Sequence, residues 1–277
     1  MFKKIYKVTN KKQLLIFMIA LFIVGCSSRS TIRPGDSLEV AFEKSMAQFE
    51  NGRYGDAAQS FETVLSIGRG TQVANDAQYF LAESYYHNRQ YLIAATEYRR
   101  YATNNPRSPR RAEVEYKEAL SHYQMSPRYN LDQTDTYRAI ELFQLFTRRY
   151  PDSEYAQAAR DHIDGLRNKL AQKNFRAAEL YLRTNRYEAA AIYFGLTMER
   201  YPESRWAERA LAKQIESYVA YADNSIRARQ EERYQKAVDT YYRYLQIFPR
   251  GENRSRAEEY YSQALGGLEQ FVQASAE

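Results

Sequence analysis

The sequence predicts an all-α protein built as a solenoid of helical hairpins, and three observations carry that expectation. The first is an internal repeat. In the stretch NRYEAAAIYFGLTMERYPES, Asn185 to Ser204, a tyrosine is followed after two residues by an alanine and after eleven more by a proline. Tyr187/Ala190/Pro202 recurs as Tyr91/Ala94/Pro106 and as Tyr234/Ala237/Pro249. Thr136/Ala139/Pro151 keeps the alanine-to-proline distance, and Tyr54/Ala57 opens a further copy with Arg69 at the proline position. The second is an aromatic four residues after each alanine, at Phe61, Tyr98, Phe143, Phe194 and Tyr241, which stands one turn along the same helix face. The third is composition. The 277 residues hold 7 prolines and 11 glycines, too few to break helices often, and no alternating β-branched run competes with helix.

Each element follows from local chemistry. The proline ends the second helix of a hairpin, because it has no N–H and disfavours the α region for its predecessor. The small alanine marks a close helix contact, and a fixed period of this length is the signature of a stacked array. The frame resembles the tetratricopeptide repeat, whose second helix carries a small residue, an aromatic and then proline. Leu81, Ala82 and Tyr85 supply the first-helix part of that pattern in repeat 2, as Ala178 and Tyr181 do in repeat 4. The expected fold is therefore an all-α tetratricopeptide-repeat helical solenoid of about five repeats with a C-terminal capping helix.

Repeat 1 runs from about Ser37 to Gly70 and breaks at Asn51-Gly52; its Phe42, Met46 and Phe49 are spaced as an apolar face but one residue out of step with the frame. Repeat 2 runs from Thr71 to Pro106 and turns at Asn88-Arg89. Repeats 3 and 5 carry insertions, Met125 to Asp132 and Ala222 to Glu232, of the kind that maps to loops on one face and is often functional. Repeat 4 opens with an uninterrupted helix from Ser153 to about Arg183, roughly 45 Å long, suited to bracing the two ends of the array; Gly165 within it is tolerated at modest cost. A last helix, about Asn253 to Val272, caps the array. The repeats group as an N-terminal half, 37–151, and a C-terminal half, 152–277.

Ahead of the repeats stands a basic start followed by an apolar run, Leu14 to Val24, of signal-peptide rather than membrane-spanning length. It ends in Phe22-Ile23-Val24-Gly25-Cys26. This resembles the bacterial lipobox, which implies a signal peptide over 1–25, cleavage before Cys26 and acylation of that cysteine, followed by a tether over 26–36. Several acyl chains on one residue hold a protein stably where one is marginal. By the same resemblance, Ser27 in place of Asp implies the outer membrane, on its periplasmic face.

Charge and motifs exclude other classes. The net charge of +6 rests largely on five lysines within residues 1–25, leaving +1 for the remainder; a phosphate-neutralising stripe is missing, so no nucleic-acid partner is expected. A single cysteine forms no internal disulfide. His87, His122 and His162 lie in three repeats without metal-ligand spacing, and no phosphate loop, nucleophile elbow or zinc helix is present. The expectation is a binding protein, not an enzyme, with no metal and no cofactor beyond the lipid on Cys26. First helices of such arrays line the concave face, which selects Tyr79, Glu83 and Tyr86 in repeat 2 and Lys117, Ser121 and Gln124 in repeat 3 as a groove for an extended peptide ending in an aromatic residue, or alternatively as packing against a neighbouring repeat.

Lipobox, tether, about five repeats and a final helix together resemble the BamD family of outer-membrane β-barrel assembly lipoproteins. The most specific stretches are Ala139 to Tyr155, the long helix with Leu166-Arg167-Asn168-Lys169-Leu170-Ala171, and Asn224-Ser225 leading to Tyr234. The resemblance implies a non-catalytic adaptor: repeats 4 and 5 dock on a POTRA domain of the BamA-type barrel subunit beside other subunits of the machine, and repeats 1 and 2 receive unfolded barrel substrates. The rival expectation is another repeat lipoprotein of the outer membrane, a secretin pilot or a cell-envelope coordinator of the Tol-Pal type.

Overall fold

The computed structural model describes residues 31–274, with side chains to residue 271, so Cys26, the signal segment and the start of the tether lie outside the described residues. Among these residues there are eleven helices and no strand: α1 Leu38–Glu50, α2 Tyr54–Ile67, α3 Gln72–His87, α4 Tyr91–Asn104, α5 Arg111–Met125, α6 Thr134–Arg149, α7 Ala156–Arg183, α8 Tyr187–Arg200, α9 Ala207–Asp223, α10 Arg227–Ile247 and α11 Arg254–Ala274. The chain divides into two compact units, Met1–Gln90 and Tyr91–Glu277. The boundary expected at 151/152 falls inside the second unit, between α6 and α7.

The repeat frame is the packing frame. Ala57, Ala94, Ala139, Ala190 and Ala237 are all fully buried, and so are Phe61, Tyr98, Phe143 and Phe194. Each proline stands two residues past a helix end, after α4, α6, α8 and α10. The hairpin turns share one device. The second residue past the helix is left-handed, at Gly52 (φ 72), Arg89 (φ 61) and Asn185 (φ 58). The next amide reaches back to close the helix: Arg53 N to Gln48 O, Gln90 N to Tyr85 O and Arg186 N to Tyr181 O, each 2.9 Å. This paired closure satisfies carbonyls that the helix end leaves open, and glycine or asparagine is its usual residue; Arg89 is strained there.

In the first unit, α1 packs on α2 and α3 around Ala41, Ala57, Phe61, Val64, Ala77 and Leu81. The step in the α1 pattern has a structural reason. The buried line of α1 is Ala41, Ser45 and Gln48, one residue ahead of Phe42, Met46 and Phe49. Those larger side chains flank the same core, and Phe42 and Phe49 meet the Phe80 ring at 6.3 and 5.5 Å. Both stripes therefore bury surface, the small one allowing close approach and the large one filling the sides.

In the second unit the long helix reorganises the array. α7 begins at Ala156, because Ser153 to Tyr155 form a turn with Ala156 N bonded to Ser153 O at 2.9 Å. Its early residues pack on α5 and α6, with His162 against Tyr123 and Phe143. Its later residues pack on α8 and α9, with Phe175 against Phe194 and Trp206. One core runs along it, from Phe143 and Phe146 through Leu166 and Leu170 to Phe175 and Phe194. A second cluster joins α9, α10 and α11 through Leu211, Ile215, Tyr234, Tyr241 and Tyr244.

The expected repeat 5 insertion is not a loop. α9 runs to Asp223 and α10 starts at Arg227, so most of Ala222 to Glu232 is helical and only Asn224, Ser225 and Ile226 connect the two helices. The corner is held by Arg233, which lies over the Tyr221 ring at 3.6 Å and donates to Ser225, and by Tyr234 donating to Asp223 at 2.5 Å.

Two substitutions test this packing. A Cβ on Gly267 meets the Tyr234 ring at 2.5 Å, so Gly267→Ala lowers the unfolding free energy by about 1–3 kcal/mol through overpacking, although alanine favours helix. Arg89→Gly relieves the left-handed strain and raises stability by about 1 kcal/mol. Chemical denaturation of the two variants reads both signs.

Candidate interaction surfaces

The residues chosen for a first-helix groove divide between the two units. In the first, Tyr79 and Glu83 are almost fully buried and Tyr86 is half-buried; Glu83 lies 3.7 Å from His87, whose ring stacks on Tyr54 at 4.9 Å. In the second, Gln124 is exposed and Lys117 is half-buried, paired with Glu113 at 2.8 Å. Ser121 is fully buried, and its hydroxyl donates to the Lys117 carbonyl at 2.8 Å. Ser121 therefore serves its own helix and does not line a groove. A serine in mid-helix satisfies its hydroxyl this way when it faces a neighbour.

The repeat 3 insertion is a fitted wedge at the centre of α7. The Gln133 side chain, 4% exposed, directs its amide nitrogen at the carbonyls of Arg128, Leu131 and Asp132 at 2.8, 3.1 and 3.2 Å and accepts from Thr136 at 2.8 Å. Lys169 of α7 donates to Ser126 Oγ at 2.5 Å and to the Pro127 carbonyl at 3.1 Å, and Lys173 donates to Leu131 O at 2.6 Å. Burial lowers the Lys169 pKa from its ordinary value. The opposite flank of α7 grips the α8–α9 turn: Arg167 binds Glu203 and donates to Arg200 O at 2.8 Å, while Asn168 accepts from Arg205 N at 3.1 Å. Arg167, Asn168 and Lys169, which the sequence offered only as part of a distinctive stretch, thus join Lys173 in tying two loops to one helix.

Beyond that turn lies an arginine-rimmed aromatic face. Trp206 is nine-tenths buried beneath Arg176 and Arg205, 5.4 and 5.5 Å from its ring. Arg209 covers Phe175 at 5.2 Å and Arg167 covers Tyr201 at 5.2 Å. Arg176 and Arg209 share Glu179. With Arg200, five arginines gather against Glu179 and Glu203, with Asp164 also acting on Arg167, and guanidinium–aromatic stacking adds to these ion pairs although Arg176 and Arg209 stay nearly half exposed. The buried Trp206 Nε1 and Ser204 Oγ have no hydrogen-bond partner among the described residues.

A separate cleft of about 190 Å³ opens between α4, α5 and α6. Its apolar lining is Ala102, Leu142, Leu145 and Phe146. Arg99, Arg111 and Arg149 line it above Glu115 and Glu118. Arg99 binds Glu118 at 2.7 Å, and Arg111 and Arg149 bind the two oxygens of Glu115 at 2.9 and 2.5 Å. The glutamates are the buried members, with side chains 12% and 8% exposed, and the arginines the exposed ones at 35–53%. No group of three or more metal-ligating side chains occurs among the described residues, and none of their helices is long and apolar enough to cross a membrane.

Stacked hairpins of this frame, with an amphipathic cleft and a cationic face and with motif chemistry confined to packing, define a tetratricopeptide-repeat scaffold. The model of the outer membrane lipoprotein family designated YfiO matches residues 35–233, and the chain belongs to that family. Curated relatives named outer membrane protein assembly factor BamD are similar over three quarters of the chain. The protein of Vibrio cholerae is 26% identical over 75% of this chain and 91% of its own length. That of Caulobacter vibrioides is 22% identical over 75% and 69%, and that of Rickettsia prowazekii 23% over 74% and 82%.

Removing the loop clamp has a local and a global consequence. Lys169→Ala leaves the Pro127 carbonyl without its lysine donor while Ser126 Oγ keeps Thr136, and is expected to cost about 1–3 kcal/mol and to raise amide exchange selectively over residues 128–132. The core histidine gives a pH dependence. Burial among Tyr116, Tyr123 and Phe143 lowers the His162 pKa below its ordinary 6.5, so the folded state favours the neutral ring. Its contribution is fully present above pH 6.5 and is lost as the pH falls below that value. His162→Phe flattens the fall in melting temperature between pH 7 and pH 5; an unchanged slope would count against this assignment.

Proposed function

We propose that this protein is a non-catalytic lipoprotein adaptor of outer-membrane β-barrel assembly, anchored through acylated Cys26 on the periplasmic face. The observation that carries the reading is the family match over residues 35–233, together with relatives named for outer-membrane protein assembly across three quarters of the chain. In this reading the C-terminal repeats dock on POTRA domains of a BamA-type barrel subunit alongside other subunits of the machine. The arginine-rimmed face around Trp206 supports that role, since fixed cations over a water-excluding ring favour an acidic protein surface and steer its approach. The N-terminal repeats receive unfolded segments of barrel substrates.

The test is crosslinking in native outer membrane followed by affinity isolation and mass spectrometry. Recovery of a POTRA-bearing barrel protein crosslinked through α7–α11 is the expected result; recovery of a secretin or a Tol-Pal complex in its place overturns it. The anchor is tested apart from the partner. Cys26→Ser shifts the protein from the membrane to the soluble fraction with its helical circular dichroism unchanged, because the cysteine lies outside every repeat; full retention in the membrane refutes acylation.

A further inference from the structure

Very little chain joins the first unit to Cys26. Ile32 packs on the core of that unit, and the turn after it is tied down: Asp36 accepts from the Arg33 amide at 2.6 Å and from Lys44 Nζ of α1 at 2.7 Å. Only residues 27–31 lie between Cys26 and Ile32, a reach of at most about 21 Å in any conformation. The 13 residues of α1 are themselves about 20 Å long, so the far end of the unit meets a bilayer anchored at Cys26 only if the tether runs fully extended along the whole helix. The two ends also differ in chemistry. Among the described residues of the first unit, the exposed large apolar side chains are Val40 at 39% and Ile67 at 56%. Both stand at the tether end, in the first turn of α1 and the last turn of α2, where Leu38 lies against Gly68. Arg33 and Arg69 are exposed there beside Glu39, while Asp36 is spent on Lys44. The opposite end exposes Asn51, Asn88, Arg89 and Gln90.

We propose that the tether end of the first unit rests on the anchoring bilayer, with Val40 and Ile67 set into the boundary between headgroups and acyl chains and Arg33 and Arg69 among the lipid phosphates. Apolar side chains gain there by leaving water, and cations are drawn to anionic lipids. Two apolar residues and two arginines are too few to bind a membrane from solution. Acyl chains on Cys26 already hold this face at the surface, so the same contacts act at high effective concentration and serve to orient the unit. A bilayer within reach of the tether explains why the exposed apolar residues stand at that end, which a freely diffusing partner does not. The inference rests on the anchor reading and adds an orientation to it: α1, α2 and α3 stand on the membrane with the turns at Asn51 and Asn88 directed away from it.

The experiment is site-directed fluorescence on the full-length lipoprotein in vesicles of phosphatidylethanolamine and phosphatidylglycerol. Acylation consumes the sulfur of the single native cysteine, so an introduced cysteine is the only free thiol. Ile67→Cys and, as the reference at the far end of α1, Glu50→Cys each carry a nitrobenzoxadiazole dye. Doxyl-labelled lipids quench the dye at position 67 at least threefold more than at position 50. An apolar dye could insert by itself, so the contrast is repeated from Val40→Cys, where adding Ile67→Asp lowers the quenching at least twofold, as does the pair Arg33→Glu and Arg69→Glu. All these positions are exposed, and circular dichroism checks that each variant folds. Equal quenching at positions 67 and 50, or quenching at position 40 that ignores the added changes, overturns the proposal. Where that happens and the lipoprotein still floats with the vesicles, the face is wrong and the anchor stands; a lipoprotein that does not float brings down both.

Discussion

The close contact at each repeat alanine is the constraint on which the rest of the structure depends. Ala57, Ala94, Ala139, Ala190 and Ala237 have no accessible surface, and a small side chain there lets a neighbouring helix approach near enough for the aromatic one turn later to close over the contact. Few long-range features are needed once this is repeated. Within each unit the hairpin helices bury their apolar faces against their neighbours, so stability there is shared among adjacent helix contacts. The left-handed turns at Gly52, Arg89 and Asn185 serve the same end by fixing how the chain re-enters each contact.

The long helix α7 is where regular stacking stops. Its first half belongs to α5 and α6 and its second half to α8 and α9, so the start of α6 and the end of α8 meet at its middle, where Tyr137 hydrogen-bonds Tyr201. Burial foremost, with this contact, raises the Tyr201 pKa to about 12. A junction of two helix ends leaves carbonyls and turns without regular partners. Lys169, Lys173, Arg167 and Asn168 supply them from one stretch of helix. The inserted loop of repeat 3 is thus a filler for a break in the array, and its backbone is spent on packing.

Charge stays at the surface where packing does not absorb it. Around Trp206 five arginines outnumber the carboxylates beside them, and in the α4–α6 cleft the carboxylates are buried and the arginines are not. Other charged groups are absorbed. Glu208 accepts from the Asn253 amide at 2.7 Å and from Tyr244 at 2.8 Å. Burial raises its pKa, but those donors outweigh it and leave the group below its ordinary value, so Glu208 closes the start of α11 and offers nothing outward. The distinction between a spent and an available charge is one of geometry, since both kinds sit in similar runs of sequence.

By itself the sequence determined the class, the helix count and the packing residues, because a small residue, an aromatic and a proline at fixed spacing have one low-energy arrangement as stacked hairpins. It also marked the long helix and the family to which the chain belongs. Tertiary structure decided what no local spacing encodes. Ser121 and Gln124 are three residues apart on one helix, yet one is buried and the other exposed; the insertion before Tyr234 became helix because Arg233 and Tyr234 anchor its corner to Tyr221 and Asp223. The cleft joins Arg99, Glu118 and Arg149, which lie up to fifty residues apart. Long-range contacts between separate helices set which arginine meets which carboxylate and how deeply each is buried, and no local spacing encodes that.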